Sequence, residues 1–517
     1  MAIRNASAAA TKTNMAAARF RWPPLAPVLW SITVFALAVR FFLLDRESVW
    51  LDEAFSWGYA KLPLHRLWWE PIDVHPPLYY SILHLLMQFG DTPWLLRAPS
   101  AVGGAVAIPL LYLLGRRVAG EWVGLGAAAL LAASAIEIRY SQEARSYALL
   151  MSVALVVAIG FVGLFARPNL ARREAVGWSF VYGAGCIIAL YLHYISVLLV
   201  GITFVLGTVA VLRGRSSLSL QGWGAINGCI LLAWLWWLPI LIGQLREGTP
   251  QFTLAPPGIA AIVQGIRSLY GEAYVYWDWQ GGPTFEALLI TCGLFGAWLL
   301  FRRASLIGIC LAAAAFGIPL VEVLLSWTIK PVFVERTIIW LVPFYLLLVV
   351  IGIKALSRAI AIPIFSIIFV IQTIGTVTYF RTEHNTPWSR LAAQVGACAS
   401  AGDIMLVAPG YLQLPLDYAT RNAPLSMRAF DIGVSRGNAL MRGITVEDTF
   451  ADIRSALTKR PRIWVLASSN YTGQWFEIGV APFLRDYKPA GQRQFRDVVL
   501  SRYVPSDELE TSCGKAG

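Results

Sequence analysis

Charged residues are scarce in this sequence: they make up only 14% of its 517 residues, whereas hydrophobic residues make up 57%. The mean hydropathy of +0.60 corresponds to more apolar surface than a soluble globular domain of this size needs. The composition therefore excludes a soluble enzyme and predicts a polytopic α-helical membrane protein.

Cysteine is also scarce, and its spacing excludes the usual frameworks. The six cysteines are scattered singly without a CxxC motif. Four of them fall within apolar runs, namely Cys186, Cys229, Cys292 and Cys310. We therefore expect neither a structural disulfide framework nor a zinc site.

No basic stripe of the kind that binds nucleic acid is present, although the formal net charge is +12. The basic residues stand in short groups between apolar runs, as they do in cytoplasmic loops. Residues 1–26 are rich in alanine and basic, and no cleavage site follows the first apolar run. We interpret them as a disordered cytoplasmic tail, and we expect no nucleic-acid partner.

Eleven apolar runs are long enough to cross a bilayer as helices. If they alternate in direction, every loop rich in Arg and Lys falls on the cytoplasmic side, and the C-terminus lies outside. The runs are Pro27–Leu44, Ala98–Leu114, Trp122–Ile138, Ala148–Ala166, Val176–Leu192, a run ending at Arg213, Trp223–Ile242, Thr284–Leu300, Leu306–Trp327, Ile338–Ile353 and Ala359–Phe380.

The segment His75–Gly90 decides this topology. Its apolar part is short for a span, so we expect a juxtamembrane helix, begun by Pro76 and Pro77, that lies in the interface within the first outer loop. From about residue 381 the composition becomes that of a soluble domain.

Three short buried strands are predicted in this domain, at Ile404–Pro409, Ile463–Ser468 and Val498–Val504. Helical patterns at Trp388–Ala399 and Val446–Thr458 complete a small α/β domain over residues 381–517. It lacks a phosphate-binding loop motif. A cap that covers or steadies the site is the favoured role, and acceptor recognition is the alternative.

The segment VWLDEAFSW, Val49–Trp57, places the carboxylates of Asp52 and Glu53 directly after the first apolar run. Adjacent side chains point in different directions, so one of the two is expected to face a reactant. Flanking aromatic rings suggest a catalytic site at the membrane interface. The alternative is that Asp52 caps the next helix and Glu53 sits in its first turn.

The predicted topology brings charged and polar residues of both signs to the outer face. Acids and cations at a lipid interface suit displacement of a lipid phosphate, in which a carboxylate deprotonates a hydroxyl and cations stabilise the departing phosphate. Each residue also has a structural alternative, such as a helix-start cluster or an interfacial anchor, and Arg40 is expected to pair within the bundle or reach the interface. The residues are Asp52, Glu53, His75, Glu143, Arg145, His193, Tyr194, Lys330, Glu335 and Arg336.

Six ordered segments between Pro27 and Leu356 resemble membrane glycosyltransferases of the GT-C class. The branch is similar to protein O-mannosyltransferases and lipid A aminoarabinose transferases (GT39/GT83-like). The segments are VWLDEAFSW, DVHPPLYYSILHLL, LRAPSAVGGAVAIPLLYLLGRRV, IRYSQEARSYAL, LYLHYISVLL and FVERTIIWLVP.

The resemblance implies roles for these residues. Asp52 would be the base that activates the acceptor, Glu53 would orient it or bind a hydroxyl, and Glu143 takes the place of the family's second acid, which is Asp in some branches. Where the family has PRY, this chain reads VERT, so the role of Glu335 stays open. The implied phosphate ligands are Arg336, Arg145 and Lys330, and the implied substrate contacts are His75, His193, Tyr194 and Glu335.

The predicted function is sugar transfer, with inversion, from a polyprenyl-phosphate donor to a hydroxyl of a lipid, glycan or protein at the periplasmic face of a bacterial inner membrane. No metal is expected to be obligatory, although Mg²⁺ or Mn²⁺ is possible. Two alternatives remain. One is a transporter or flippase of a polyprenyl-linked sugar, which typically shows inverted repeats that are not seen here. The other is a non-catalytic scaffold subunit.

Overall fold

The structure is a computed structural model, and it describes residues 25–71, 73–246, 256–271, 281–302, 305–432, 449–470 and 474–508. Residues 1–24 of the predicted N-terminal tail lie outside these residues. Most of the described chain is helical. The α-helices are α1 Ala26–Phe41, α2 Leu51–Ala60, α3 Leu64–Trp69, α4 Leu78–Leu86, α5 Pro93–Ala119, α6 Glu121–Ala132, α7 Ala135–Ser141, α8 Tyr147–Phe165, α9 Arg172–Leu192, α10 Val197–Leu212, α11 Leu220–Leu235, α12 Leu238–Arg246, α13 Ile259–Tyr270, α14 Gly282–Arg302, α15 Leu306–Ala312, α16 Ile318–Thr328, α17 Glu335–Ile338, α18 Val342–Lys354, α19 Arg358–Arg381, α20 Trp388–Cys398, α21 Gln413–Thr420, α22 Thr449–Leu457 and α23 Gln474–Gly479.

The described helices make this a multi-pass membrane protein, as predicted. By length and composition eight helices could cross a membrane, and the number is ten if each of two bent pairs is one span. The short helix α1 covers the first predicted run, and with it every one of the eleven predicted runs coincides with a helix, a bent pair or a helix joined to a shorter turn. The fold class is therefore confirmed.

Two of the predicted runs are broken rather than straight. The run Trp122–Ile138 bends by 65° between α6 and α7, and Trp223–Ile242 bends by 50° between α11 and α12. At the first break Ser134 follows the end of α6, and its hydroxyl accepts a hydrogen bond from the backbone N–H of Glu137. This cap starts α7 as a new helix. The bend turns α7 and its polar residues away from the path of α6.

The long loop between α1 and α5 holds three short helices instead of a span. The predicted interfacial helix is α4, which begins directly after Pro77. Its nine residues are too few to cross the hydrocarbon layer as a helix. Helix α2 packs against α4 and carries the acidic pair.

The C-terminal segment forms a five-stranded sheet in the order β2-β1-β3-β5-β4. Strands β1 to β3 are parallel to one another, whereas β5 is antiparallel to both β3 and β4. The three predicted strands are confirmed. Two strands were missed because β2 has only four residues and β4 is largely exposed, so neither shows an apolar run. The strands are β1 Ile404–Ala408, β2 Arg428–Asp431, β3 Ile463–Ser468, β4 Tyr487–Phe495 and β5 Val498–Pro505.

We expected no structural disulfide framework, yet one cysteine of the described chain forms a disulfide bond. Cys398, at the end of α20, is disulfide-bonded. The four cysteines in the apolar runs are free, as expected. Spacing along the chain could not reveal this bond, because a disulfide depends on proximity in the fold.

Helix α21 of the C-terminal segment lies directly on α2. Asp91 joins them, since its carboxylate accepts hydrogen bonds from Trp57 Nε1 at 3.0 Å and Arg421 Nε at 3.1 Å. The backbone carbonyl of Asp91 accepts another from the Tyr418 hydroxyl at 2.7 Å. The rings of Trp57 and Tyr418 meet edge to face with centroids 5.2 Å apart. The C-terminal segment thus fixes the helix that bears Asp52.

Candidate active site

Asp52 lies in the first turn of α2, at the centre of a group of charged side chains. Its Oδ2 atom is 3.5 Å from Arg336 Nε, in the short helix α17. That oxygen is buried, and it has no hydrogen-bond partner among the described residues. Residues almost 300 positions apart thus bring a carboxylate and a guanidinium together.

Glu53 points the other way, into the protein. Both of its carboxylate oxygens accept from Arg97, at 2.7 Å each, and the pair is almost completely buried. The backbone N–H groups of Ala144 and Trp50 donate to the same carboxylate, at 2.8 and 3.2 Å. These hydrogen bonds tie Glu53 to the bundle and to the start of α2, where it occupies the first-turn position of the structural alternative.

Arg145, which follows α7, approaches the site from beside Asp52. Its Nη1 donates to the Asp52 carbonyl and to the Ser56 hydroxyl, each at 3.4 Å. Its Nη2 lies 3.3 Å from Nε2 of His75. Arg145 is buried, yet no carboxylate among the described residues pairs with it. Asp52 and Asp73 act on its charge only from beyond ion-pair distance, and a buried cation without a direct partner is costly, so this arrangement suits an anionic ligand.

His193 stands beside this cation. Its ring meets the His75 ring edge to face, with centroids 5.2 Å apart. The backbone N–H of Ile195 donates to Nδ1 of His193, so Nε2 carries the proton, and that N–H is buried with no partner among the described residues. Burial lowers the pKa of His193 well below its usual value, and the nearby guanidinium charges of Arg145 and Arg336 act in the same direction. A neutral N–H donor therefore faces the site.

Glu143 lies on the opposite side of Asp52. Its Oε1 is 3.4 Å from Arg139 Nε, and its Oε2 is buried with no hydrogen-bond partner in the described chain. The pKa of the Glu143 carboxyl is raised to about 7, chiefly by burial, with Glu53 and Asp52 acting in the same direction and Arg139 and Arg336 opposing them. Around neutral pH this carboxyl can both donate and accept a proton.

Glu335 closes this side of the site. It accepts from the Tyr140 hydroxyl at 3.2 Å and lies 3.8 Å from Arg139 Nη1. Arg139 therefore stands between two carboxylates. A shallow cavity lined by Arg139, Glu143, Tyr379 and His384 opens beside them, at the point where the chain enters its C-terminal segment.

Two predicted residues have a different setting. The Tyr194 hydroxyl accepts from Trp237 Nε1 at 2.8 Å and donates to Gln244, which in turn donates to the His75 carbonyl at 3.4 Å. Tyr194 therefore supports His75 from behind. Lys330 is exposed, and in the part of the chain that the structure describes its ammonium contacts none of the other site residues.

Arg40 pairs within the bundle, which was one of its two expected placements. It is completely buried and forms an ion pair with Glu137 of α7. Gly104 of α5 makes room for this pair, because a Cβ atom there would collide with Glu137 and Ser141. The bend before α7 and this pair together fix the segment that leads to Arg139 and Glu143.

Sequence reasoning missed three charged residues that shape the site: Arg97, Arg139 and Asp73. Arg97 and Arg139 stand within or next to apolar runs, where an unpaired charge is energetically costly. This cost was the available signal in the sequence that each residue has a partner in the fold. Asp73 is two residues before His75. Among the described residues no group of three or more His, Cys, Asp or Glu side chains is placed to hold a metal ion.

No protein-family model and no curated protein sequence matches the chain. Solved structures do. ArnT from Cupriavidus metallidurans in the apo state superposes with a TM-score of 0.62 at 14% identity, and ArnT bound to undecaprenyl phosphate with 0.61 at 12%. Each match covers 93% of this chain and 98% of ArnT.

The apo form of the Archaeoglobus fulgidus oligosaccharyltransferase matches with a TM-score of 0.51 at 12% identity, over 93% of this chain and 74% of that protein. These are GT-C enzymes, so the chain is a membrane protein of the GT-C fold. Within that fold it is similar to ArnT over nearly the full length of both chains. The resemblance read from the motifs is confirmed at the level of the fold.

Proposed function

We propose that this protein is a glycosyltransferase that moves a sugar from a polyprenyl phosphate to a hydroxyl group of a lipid, glycan or protein. The observation that carries the proposal is the contact of Asp52 with Arg336, at 3.5 Å, beside the unpaired cation of Arg145. A base and phosphate-binding cations are the two functions that this reaction needs. The fold shared with ArnT, which has been crystallised with undecaprenyl phosphate, supports the same donor class.

In the proposed reaction Asp52 Oδ2 takes the proton of the acceptor hydroxyl. The acceptor oxygen attacks the anomeric carbon of the sugar as the bond from that carbon to the phosphate oxygen breaks. The polyprenyl phosphate leaves with the bonding electrons, and a single displacement inverts the anomeric centre. Arg336 and Arg145 stabilise the charge that grows on the phosphate, and the N–H of His193 offers it a further hydrogen bond.

The other predicted residues have supporting roles. Glu143, with its oxygen free of partners, is placed to hydrogen-bond a hydroxyl of the sugar or acceptor. Glu53 positions α2, and Glu335 orients Arg139. His75 and Tyr194 support the phosphate side, and Lys330 is left as a peripheral cation for the lipid phosphate.

The reaction is proposed to take place at the periplasmic face of a bacterial inner membrane, with residues 1–26 in the cytoplasm and residues 381–517 as a periplasmic domain. The disulfide bond of Cys398 supports this placement, because disulfides persist in oxidising compartments. No divalent cation is proposed to be obligatory, since two guanidinium groups are at hand to compensate a phosphate monoester.

The test compares, by mass spectrometry, envelope glycolipids and glycoproteins from cells with wild-type protein, without it, and with Asp52→Asn. Loss of a general base lowers transfer by about 10²- to 10⁴-fold, so the sugar-modified product is expected to disappear in the last two strains. Asp45→Asn, an exposed carboxylate without a described partner, is the matched control and should retain the product. Unchanged modification in a folded Asp52→Asn protein would refute the proposal.

A further inference from the structure

Asp73 lies behind the cationic side of the site, in the loop before α4. One of its carboxylate oxygens, Oδ2, accepts hydrogen bonds from His75 Nδ1 at 3.0 Å and from the Tyr80 hydroxyl. Burial acts to raise the pKa of Asp73, but the two hydrogen bonds and nearby positive charge, including that of Arg145, lower it to about 2. Asp73 is therefore an ionised acceptor under all ordinary conditions.

The far side of the same imidazole meets Arg145. A guanidinium has only N–H donors, so the contact of Arg145 Nη2 with His75 Nε2 at 3.3 Å requires that Nε2 accept. The proton of the neutral ring is then on Nδ1, where it is donated to Asp73. Of the two neutral tautomers, only this one satisfies both contacts.

Without an acceptor at Nδ1, nothing in the described surroundings would hold this tautomer. The other charged or titratable group beside the ring, His193, meets it through an edge-to-face ring contact, and Gln244 reaches only the His75 backbone carbonyl. A proton on Nε2 would point at the guanidinium and set donor against donor. Arg145 would lose the contact at its Nη2 end while keeping those to Asp52 and Ser56 at Nη1.

We propose that Asp73 is a positioning residue that fixes the tautomer of His75 and, through it, the orientation of the Arg145 guanidinium. The first half, the tautomer of His75, concerns the fold alone. The second half, the orientation of Arg145, rests on the proposed function, because it makes Arg145 a ligand of the donor phosphate. Asp73 itself touches no reacting atom.

The tautomer is measured directly by ¹⁵N NMR of the full-length protein, labelled at histidine, in detergent micelles at pH 8. The chain has only five histidines, and the His75 signals are assigned with His75→Gln. Wild-type His75 is expected as the Nδ1–H tautomer, and an Nε2–H form would overturn the proposal without any variant having to fold. His193 is an internal reference for the Nε2–H form, because its Nδ1 accepts from a backbone N–H.

Two variants then separate the acceptor from the fold. Asp73→Leu removes the acceptor, so His75 is expected to shift to the Nε2–H tautomer. Asp73→Asn keeps an amide oxygen that can accept from both His75 Nδ1 and the Tyr80 hydroxyl, as Oδ2 does now, so it is expected to retain the wild-type tautomer. An unchanged tautomer in folded Asp73→Leu, or its loss in Asp73→Asn, would overturn the assignment.

Binding of undecaprenyl phosphate to the purified full-length variants tests the second half. Asp73→Leu is expected to weaken binding about tenfold, because a charge-assisted hydrogen bond is misdirected, and Asp73→Asn much less. If Arg336→Ala weakens binding and Asp73→Leu does not, the link from Asp73 to the phosphate is wrong while the proposed function stands. If neither variant changes the affinity, the proposed phosphate site itself fails.

Discussion

Replacing Arg97 with methionine should destabilise the protein more than any exposed charge substitution. Arg97 donates to both oxygens of Glu53 at 2.7 Å, and it also donates to the backbone carbonyls of Leu44, Glu47 and Ser48 at 2.8 to 3.2 Å. The two side chains are 2% and 0% exposed. The substitution would leave a buried carboxylate without its cation and three carbonyls without this donor.

The magnitude follows from burial. Removing one partner of a buried ion pair costs about 3–5 kcal/mol, because the remaining charge stays desolvated. Arg66 and Glu70 form the matched control pair, with contacts at 2.8 to 2.9 Å but with 28% and 41% of the side chains exposed. An exposed helical pair of this spacing contributes only about 0.3–0.5 kcal/mol. Arg97→Met should therefore cost several times more than Arg66→Met.

The assay is the free energy of unfolding in detergent, from denaturant titrations followed by far-UV circular dichroism. The double variant Glu53→Met/Arg97→Met should recover part of the loss, since it removes both charges. Equal costs for Arg97→Met and Arg66→Met would refute the reasoning, because the buried pair would then contribute no more than an exposed one. Helix α2 would also lose its fixed orientation, so sugar transfer should fall with stability.

Three further predictions concern the surroundings of the site. The pKa of Glu143 is raised to about 7 in the folded protein, so its carboxyl should lower the free energy of unfolding by roughly 2–4 kcal/mol as pH rises from about 4.5 to 7. Unfolding measurements at pH 5 and pH 8 should show this decline in the wild-type protein and not in Glu143→Gln. Gly104→Ala should lower the free energy of unfolding by about 1–3 kcal/mol, because the added Cβ atom would force Glu137 and Ser141 apart. Gly177 has open space around it, so Gly177→Ala should be neutral or stabilising. Equal effects of the two substitutions on thermal unfolding would contradict the packing argument. Transfer by the purified protein should continue at an unchanged rate in EDTA, and a rate restored only by Mg²⁺ or Mn²⁺ would show that a cation is required.

The positions of the spans were predictable from the sequence because a hydrocarbon layer imposes a length on every apolar run and a sign on the loops between them. The breaks within two spans were not. The hydroxyl of Ser134 caps the N-terminus of α7 directly after α6 has ended. The mean hydropathy of the whole run does not show this change from one helix to the next. Likewise β4 pairs through its backbone while exposing most of its side chains, so it shows no apolar pattern.

That Asp52 and Arg336 lie close together could be predicted from the alternation of the apolar runs, whereas the partners of the other charged residues could not. Which side chains pair there depends on contacts between helices far apart in the chain, such as Arg97 with Glu53, and no periodicity records these. Lys330 shows the converse, since it lies in the predicted loop yet is exposed and forms no ion pair with the other site residues that the structure describes.

The contacts of the C-terminal segment favour the first of its two predicted roles, which was to steady the site. Asp91 links Trp57 of α2 to Tyr418 of α21 and to Arg421 directly after it. Glu47, just before α2, accepts hydrogen bonds from the backbone N–H groups of His384 and Asn385. We therefore propose that this domain holds α2 at both ends. Acceptor recognition remains compatible with it, because the cavity beside Glu143 opens where the two parts of the chain meet.

The adjacent acids Asp52 and Glu53 show why one motif needs two carboxylates. Successive residues of a helix point about 100° apart, so the same turn of α2 directs Glu53 into the bundle and Asp52 toward Arg336. Glu53 is locked by Arg97 and by two backbone N–H groups, which leaves α2 little freedom to rotate. A base is effective only when its lone pair is held at the reacting hydroxyl, and for the proposed base, Asp52, the neighbouring acid would supply that constraint. Exchanging the two residues, Asp52→Glu with Glu53→Asp, would therefore be expected to lose both the anchor and the base, although net charge and composition are almost unchanged.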